Sequence, residues 1–363
     1  MRRSTMFFAL ALAAVANARP LQPGFNGNEF RKMLSISSHQ SDTAAWKKMW
    51  MPYPISYELV YRSPVTALDN RWDLWTSRDS VDVISIRGTV GSTSSWLENF
   101  YAGMIPAMGT LDLGKGNKFV YKIAEDSSAL VHIGWMIALG SMAPDIVAQI
   151  QKEYAKGVKD YLIIGHSQGG AIGFLLTSYL YYEKGKSIPA DIRIKTYGSG
   201  MPKPGNQYYA YDFDFITRNG WAFRVVNTAD WVPEVPFALQ ALDDLNPGNP
   251  FEDMGRLMKG APWIAKWYAR HLVKKMNRSA KRTRKKFSKY LARKTGEQVR
   301  NRFEGFPKQK YARSLNYVAC GAPIILPPDS DYSKFYPDDP TNIYRHHGFG
   351  PYLYLLNAHY PVR

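Results

Sequence analysis

The 363-residue sequence contains a single cysteine, Cys320, and this scarcity limits the chemistry open to the chain. One thiol cannot form an intramolecular disulfide, a Cys-x-x-Cys redox pair or a cysteine-rich zinc site. The His-Glu-x-x-His pattern of helical zinc sites is also missing from the sequence. We therefore expect no catalytic metal and no cofactor, and we expect the hydrophobic core to supply the stability.

Long apolar runs are scarce as well, since no stretch beyond the N-terminus approaches the ~20 apolar residues that span a bilayer. The N-terminus has two arginines, an apolar run over residues 6–16 and small residues before Arg19. This order predicts a signal peptide over residues 1–18, with a buried N-terminal helix as the alternative. We expect residues 19–363 to be secreted or extracytoplasmic, and periplasmic if the source is a Gram-negative bacterium.

Acidic residues are almost absent from residues 255–313. This segment has 20 Lys and Arg against two Glu, a balance of +18, whereas the rest of the chain has 27 basic against 28 acidic residues. The segment therefore carries the whole excess behind the net charge of +17. In its first part, apolar residues recur at helical spacing between basic ones, which predicts a basic amphipathic helix. These apolar residues are Trp263, Ile264, Trp267, Tyr268, Leu272 and Met276.

Three interpretations of the basic segment stay open. It is a solvated helical insertion, a surface that docks on anionic lipid or lipopolysaccharide, or a nucleic-acid-binding segment. Export disfavours the last, so we expect no nucleic acid as a partner. Docking on an anionic membrane would use residues 263–294, from Trp263 to Lys294, because each basic side chain near such a surface is worth ~1 kcal/mol and tryptophans favour the interface.

Strand and helix patterns alternate along much of the chain. This alternation predicts an α/β fold with a mainly parallel central sheet and helices on both faces. We expect one domain over residues 19–363, with residues 255–313 as a basic helical insertion. The predicted strands are 56–61, 71–75, 81–86, 161–164, 192–199 and 223–230, and the predicted helices include 131–154 and the stretch from Ser167 to about Tyr182.

The chemistry centres on Gly165-His166-Ser167-Gln168-Gly169, which follows an apolar strand and precedes an apolar helix. This matches the G-x-S-x-G nucleophile elbow, in which a serine lies on a very tight turn between strand and helix. The glycines two residues on either side, Gly165 and Gly169, avoid side-chain clashes in that turn.

A serine hydroxyl needs a base to take its proton and a third group to orient that base. The order expected along the chain is serine, acid, histidine. Asp230 follows a predicted strand at the point where the chain leaves the sheet, and Asp243 and Asp244 are weaker candidates.

Four histidines follow Asp230, at positions 271, 346, 347 and 359. His271 lies in the basic segment and His359 near the terminus. The residues alone therefore leave His346 and His347 as candidates for the base.

At this point the chain resembles the class 3 lipases, the fungal-lipase-like branch of the α/β-hydrolase fold. The matching motifs occur in the order of the family over residues 81–356. They are Ile86-Arg87-Gly88-Thr89 with Trp96 and Asn99, His132 with Gly134-Trp135, the serine motif, Thr196-Tyr197-Gly198-Ser199, Arg224-Val225-Val226-Asn227 with Asp230, and a C-terminal histidine with a tyrosine five residues on.

The resemblance implies roles for particular residues. Ser167 would be the nucleophile, Asp230 the orienting acid and His347 the base, since His347 has the family's spacing to Tyr352. The oxyanion hole would use the backbone N–H, and often the hydroxyl, of Thr89 and the backbone N–H of Gln168. His132 matches a family motif but precedes the serine, and we interpret it as structural.

The resemblance also implies the activity. We expect a secreted serine ester hydrolase that cleaves carboxylic esters of lipids, such as acylglycerols, through an acyl-enzyme intermediate. The alternatives are a phospholipase, an aromatic-ester (feruloyl-type) esterase, and a non-catalytic exported protein that binds anionic surfaces.

Two features depart from the family or stay open. His347 lies 117 positions after Asp230, which makes this connection unusually long. The apolar run over residues 104–108 lies where the family often has a lid, and a buried connecting loop is the alternative.

Overall fold

The computed structural model describes residues 20–40, 51–78 and 80–362. The expected signal peptide lies outside these residues. A central sheet has the strand order β1-β2-β3-β8-β9-β11-β13, in which the first three strands are antiparallel and the strands from β3 onward are parallel. Its strands are β1 (Tyr57–Arg62), β2 (Trp72–Ser77), β3 (Val81–Ile86), β8 (Asp160–His166), β9 (Arg193–Ser199), β11 (Ala222–Asn227) and β13 (Ala322–Leu326).

Among the described residues, six further strands lie outside the central sheet. Four form a second sheet in the order β12-β10-β7-β4, and β5 pairs with β6 as a hairpin. Their bounds are β4 (Met104–Pro106), β5 (Met108–Asp112), β6 (Lys118–Lys122), β7 (Leu130–His132), β10 (Gly205–Asn206) and β12 (Tyr317–Val318).

Helices cover both faces of the central sheet. Alternate residues of a strand point to opposite faces, and in β8 Tyr161 and Ile163 belong to one apolar cluster while Leu162 and Ile164 belong to another. The expected mainly parallel α/β architecture is therefore confirmed. The helices are α1 (Gly27–Ser38), α2 (Thr93–Phe100), α3 (Ile133–Tyr154), α4 (Gln168–Glu183), α5 (Gln207–Ile216), α6 (Met254–Leu257), α7 (Trp263–Ser288), α8 (Thr295–Arg302), α9 (Tyr332–Phe335) and α10 (Phe349–His359).

Contrary to the expectation from the sequence that no stretch beyond the N-terminus is long and apolar enough to span a bilayer, helix α3 meets this test by length and composition. Most of it is buried inside the protein, and its side chains belong to the main apolar cluster together with those of α4. We therefore interpret α3 as a core helix.

The apolar run over residues 104–108 forms β4 and the start of β5. Met104, Ile105 and Ala107 are buried, and β4 is hydrogen-bonded to β7. The run is thus a buried connection, and the lid interpretation of these residues is wrong.

The basic segment has two parts with different environments. Arg284 is the only buried residue of the 26 in α7. Beyond α7, a π-helical turn (Lys289–Lys294) leads into α8, and Val299 and Phe306 join the main core. The second part of the segment is therefore packed against the body of the protein.

Candidate active site

The sharp turn at Ser167 is built by the junction of β8 and α4. Ser167 has a φ of 59°, in the left-handed region that few residues other than glycine adopt. A Cβ on Gly165 would lie 2.1 Å from the backbone of Gly169, and one on Gly169 would lie 2.4 Å from the carbonyl oxygen of Ile86. Glycine is required at both positions because strand and helix approach so closely.

Asp230 and His347 lie far apart in sequence but are in contact. His347 Nδ1 lies 2.7 Å from Asp230 Oδ2, and the carboxylate of Asp230 is fully buried. An ionised carboxylate can only accept hydrogen bonds, so Nδ1 carries the proton and Nε2 keeps a free lone pair. Asp230 thereby sets both the tautomer and the orientation of the ring.

Two further groups hold the Asp230 carboxylate. The Tyr352 hydroxyl donates to Oδ2 at 2.8 Å, and the backbone N–H of Val232 donates to Oδ1 at 2.9 Å. Burial raises the pKa of Asp230, but the hydrogen bond and charge of His347 and the bonds from Val232 and Tyr352 outweigh it, and the pKa is lowered. The carboxylate therefore stays ionised beside the histidine.

His346, adjacent to His347, faces other partners. Its Nδ1 lies 2.9 Å from the Tyr332 hydroxyl, and its Nε2 lies 3.0 Å from the exposed carboxylate of Asp338. The two weaker candidates for the acid, Asp243 and Asp244, bind the buried Arg284 of α7.

The loop that carries His347 is fixed by polar side chains from the sheet. The ring of His166 donates from Nε2 to the carbonyl oxygen of His347 at 2.7 Å, and Asn227 donates to that of His346 at 3.0 Å. Burial, followed by the nearby His347, lowers the pKa of His166 to about 3, so His166 is neutral. The sequence did not reveal that His166 and Asn227 hold this loop or that Tyr352 binds Asp230. For Tyr352, its spacing from His347 was a signal.

The predicted oxyanion-hole residues meet beside the serine. Thr89, just beyond β3, donates its hydroxyl to Gln168 Oε1 at 3.0 Å and accepts from Asn99 Nδ2 at 2.8 Å. The Thr89 hydroxyl is therefore hydrogen-bonded within the protein. The backbone N–H of Thr89 is the donor that is left for a ligand.

His132 lies away from this group, at the N-terminus of α3. Its Nδ1 accepts from the backbone N–H of Trp135 at 3.3 Å, and its ring stacks on that tryptophan with centroids 3.7 Å apart. Complete burial lowers its pKa to about 3. A neutral, buried capping histidine fits the structural interpretation.

Ser167 and His347 open onto one large cavity of about 1140 Å³. Among the residues that the structure describes, no hydrogen bond joins the Ser167 hydroxyl to the His347 ring, although both line this cavity. Much of the wall is apolar. It includes Trp96, Phe100, Trp231, Phe237, Leu291 and Phe349.

Comparison with known proteins identifies relatives of this part of the chain. Residues 83–240 match the family "Lipase (class 3)". The secreted mono- and diacylglycerol lipase 1 of Fusarium solani is 30% identical over 156 residues, which cover 42% of this chain and 39% of that protein. A lipase of Rhizopus oryzae is 31% identical over 122 residues, which cover 33% of this chain and 29% of that protein. The match thus spans well under half the length of these relatives.

Solved fungal lipases are also similar. The triacylglyceride lipase of Rhizomucor miehei has a TM-score of 0.42 at 19% identity, and the match covers 58% of this chain and 74% of that one. The Lip2 lipase of Yarrowia lipolytica has a TM-score of 0.43 at 18% identity, with 60% and 78% covered. Residues 83–240, which contain the serine motif and Asp230, thus match the class 3 lipase family.

Proposed function

We propose that this protein is a secreted serine ester hydrolase that cleaves carboxylic esters of lipids, in particular acylglycerols. The observation that carries the proposal is the 2.7 Å contact of Asp230 with His347, which lines the same cavity as Ser167. The Fusarium solani relative is named a secreted mono- and diacylglycerol lipase, which supports both the substrate class and export. A single domain over residues 19–363 would carry this activity.

In the proposed mechanism, His347 Nε2 takes the proton of the Ser167 hydroxyl as Ser167 Oγ attacks the ester carbonyl. The negative charge that develops on the carbonyl oxygen is stabilised by the backbone N–H groups of Thr89 and Gln168. His347 then gives its proton to the departing alcohol, which leaves an acyl group on Ser167. Water, deprotonated by His347, attacks this ester, and His347 returns the proton to Ser167 Oγ as the fatty acid leaves.

The apolar wall of the cavity supports a lipid substrate. A cavity of about 1140 Å³ is large enough for a long acyl chain, and burying each methylene of such a chain is worth about 0.8 kcal/mol. We therefore expect kcat/KM to rise with acyl length from acetate toward medium-chain esters.

The decisive experiment measures hydrolysis of nitrophenyl esters from two to sixteen carbons, with Ser167→Ala as control. Mono-, di- and triacylglycerols, a phospholipid and a feruloyl ester then separate the substrate classes. Labelling by a fluorophosphonate, which requires an activated serine, tests the mechanism directly. A folded wild-type protein that neither hydrolyses any ester nor takes the label would overturn the proposal and favour the non-catalytic alternative.

We further propose that α7 docks the enzyme on anionic lipid surfaces. An apolar stripe of Ile264, Tyr268, Leu272 and Met276 runs along α7 with a spacing of four residues, and all four side chains are exposed. Trp263 and Trp267 lie beside this stripe and are 75% and 61% exposed. Large exposed apolar side chains flanked by basic ones are typical of helices that lie in a membrane interface.

The flanking charges support an anionic partner. Lys274, Lys275 and Arg278 are exposed, whereas Arg284 is buried and paired with Asp243 and Asp244. The exposed charges are therefore the ones available to lipid headgroups, and Arg284 holds the helix on the protein.

The test replaces Lys274, Lys275 and Arg278 by Gln. We expect affinity for vesicles of anionic phospholipid to fall about 100-fold, because each of the three exposed basic residues contributes ~1 kcal/mol and about 1.4 kcal/mol is tenfold. Turnover of a soluble short-chain ester should stay unchanged.

The matched control replaces Arg302, Lys308 and Lys310, which are equally exposed and lie outside α7. An equal loss of binding in this control would show that only net charge matters. Equal binding of the wild type to neutral and anionic vesicles would contradict the electrostatic argument.

A further inference from the structure

A chain of buried polar side chains runs from α2 to the predicted oxyanion hole. Glu98 Oε2 lies 2.6 Å from Asn70 Nδ2, and Asn70 Oδ1 lies 3.3 Å from Gln168 Nε2. Gln168 Oε1 accepts from the Thr89 hydroxyl at 3.0 Å. Glu98, Asn70 and Gln168 are almost completely inaccessible to solvent.

A backbone carbonyl fixes the direction of the hydrogen bonds in this chain. The carbonyl oxygen of Ala67 can only accept, and Asn70 Nδ2 lies 2.8 Å from it, so Asn70 turns its amide nitrogen toward Ala67 and Glu98 and its oxygen toward Gln168. Gln168 must then present its nitrogen to Asn70, which leaves its oxygen for Thr89.

Thr89 is thereby held from two sides. Its single hydroxyl proton goes to Gln168 Oε1, and its lone pair accepts from Asn99 Nδ2 at 2.8 Å. Thr89 and Gln168 are also the two residues whose backbone N–H groups would bind the oxyanion. Side chains that hold Thr89 and Gln168 in place therefore affect how well both backbone N–H groups are oriented toward the oxyanion.

We propose that Glu98 is a positioning residue of the oxyanion hole, acting through Asn70 and Gln168; the proposal rests on the hydrolase function above. A buried carboxyl group is costly unless it is hydrogen-bonded, and an apolar residue would fill the same space without that cost. The place of Glu98 at the start of this hydrogen-bond chain explains why this buried position carries a carboxyl group and not an apolar side chain.

The electrostatics of Glu98 are compatible with this role. Burial raises the pKa of Glu98 well above its usual range, the hydrogen bond from Asn70 and the nearby amide of Gln168 lower it, and the charge of Asp69 raises it. The net effect favours the neutral acid. A neutral group places no negative charge behind an oxygen that becomes negative during the reaction.

The test compares Glu98→Leu with Glu98→Gln on a soluble nitrophenyl ester. Misdirected donors weaken binding of the transition state more than that of the substrate, so we expect Glu98→Leu to lower kcat about 10- to 100-fold with KM nearly unchanged. Glu98→Gln can still turn an oxygen toward Asn70 and is expected to keep kcat within about threefold of the wild type.

A double mutant separates positioning from general damage. If Glu98 acts through Gln168, then Glu98→Leu should lower kcat little further in a Gln168→Leu background. Glu153, a buried carboxyl at the far end of α3, provides the control, and Glu153→Leu should change the melting temperature without changing kcat. Should Glu98→Leu not fold, Asn70→Ser takes its place in the same cycle.

The outcomes are distinct. A wild-type protein without esterase activity removes the proposed function itself. An active wild type with a folded Glu98→Leu variant whose kcat is unchanged, or whose loss simply adds to that of Gln168→Leu, overturns the role of Glu98 alone.

Discussion

Adjacent histidines in the C-terminal loop differ in what their rings contact. His347 turns toward Asp230 and the cavity, whereas His346 turns toward Tyr332 and Asp338. Neighbouring residues in a loop point in different directions, so only one of the two rings reaches the buried carboxylate.

Replacement of each histidine by alanine should therefore give opposite results. We expect His347→Ala to lower kcat at least ~10³-fold, because the serine loses its base. His346→Ala loses only the contacts to Tyr332 and Asp338 and should keep kcat within about tenfold. Steady-state kinetics on a soluble ester measure both.

Ser167→Ala supplies the control for this pair. Its combination with His347→Ala should be no slower than either single variant, since the two residues act as one unit. An active His347→Ala protein with an inactive His346→Ala protein would reverse the assignment of the base.

At the scale of elements, the π-helical turn Lys289–Lys294 links the exposed basic helix to the cavity. Leu291 lines the cavity and packs beside the apolar cluster of Ala102 and Tyr317, whereas Tyr290 on the same turn is exposed. π-Helical turns occur often at functional sites. The basic segment thus contributes a wall of the cavity as well as a charged surface.

We expect Leu291→Trp to shorten the space for the acyl chain. The ratio of kcat/KM for a twelve-carbon ester to that for a four-carbon ester should fall about tenfold or more. Each methylene of the acyl chain that the cavity cannot hold weakens binding of the transition state by about 1–3 kcal/mol. Tyr290→Trp adds the same ring outside the cavity and should leave the ratio unchanged. A ratio that is also unchanged in Leu291→Trp would mean that the acyl chain does not reach this wall.

At the scale of the whole molecule, one buried carboxyl group makes stability depend on pH. Asp82, at the start of β3, is inaccessible to solvent, and burial raises its pKa from 3.8 to about 6. The nearby Thr76 side chain and the charge of Lys156 lower the pKa, whereas the charge of Glu153 raises it. Above pH 6 the folded protein must bury a charged carboxylate that the unfolded chain leaves in water.

Stability attributable to Asp82 should therefore increase as the pH falls. Between pH 4 and 6 the folded state binds more protons at this group than the unfolded state, so acid favours folding here. We expect Asp82→Asn to be more stable than the wild type by roughly 2–3 kcal/mol at pH 8, with the difference shrinking toward pH 4.

Urea unfolding at pH 4, 6 and 8 measures the difference. The exposed carboxylate of Glu58 on β1 provides a control, and Glu58→Gln should change the stability little at any of these pH values. A difference between Asp82→Asn and the wild type that is independent of pH would contradict the prediction.

Sequence alone was sufficient where structure depends on neighbours along the chain. Local strand patterns predicted β2, β3, β8 and β9, because side-chain pattern reflects backbone geometry directly. The alternation of strand patterns with helix patterns predicted the mainly parallel arrangement. The serine motif likewise defines its own turn, since Gly165 and Gly169 are the positions where a Cβ would meet backbone. The amphipathic pattern predicted α7 for the same reason.

The tertiary structure decided what depends on residues distant in sequence. The run at residues 104–108 is a buried strand because β7 pairs with it, and its apolar character alone fitted a lid equally well. The basic segment divides into an exposed helix and a packed part because only its second part meets the core. The direction of the His347 ring and the hydrogen-bond chain from Glu98 to Thr89 join residues from separate elements, and such contacts leave no periodic signal in the sequence.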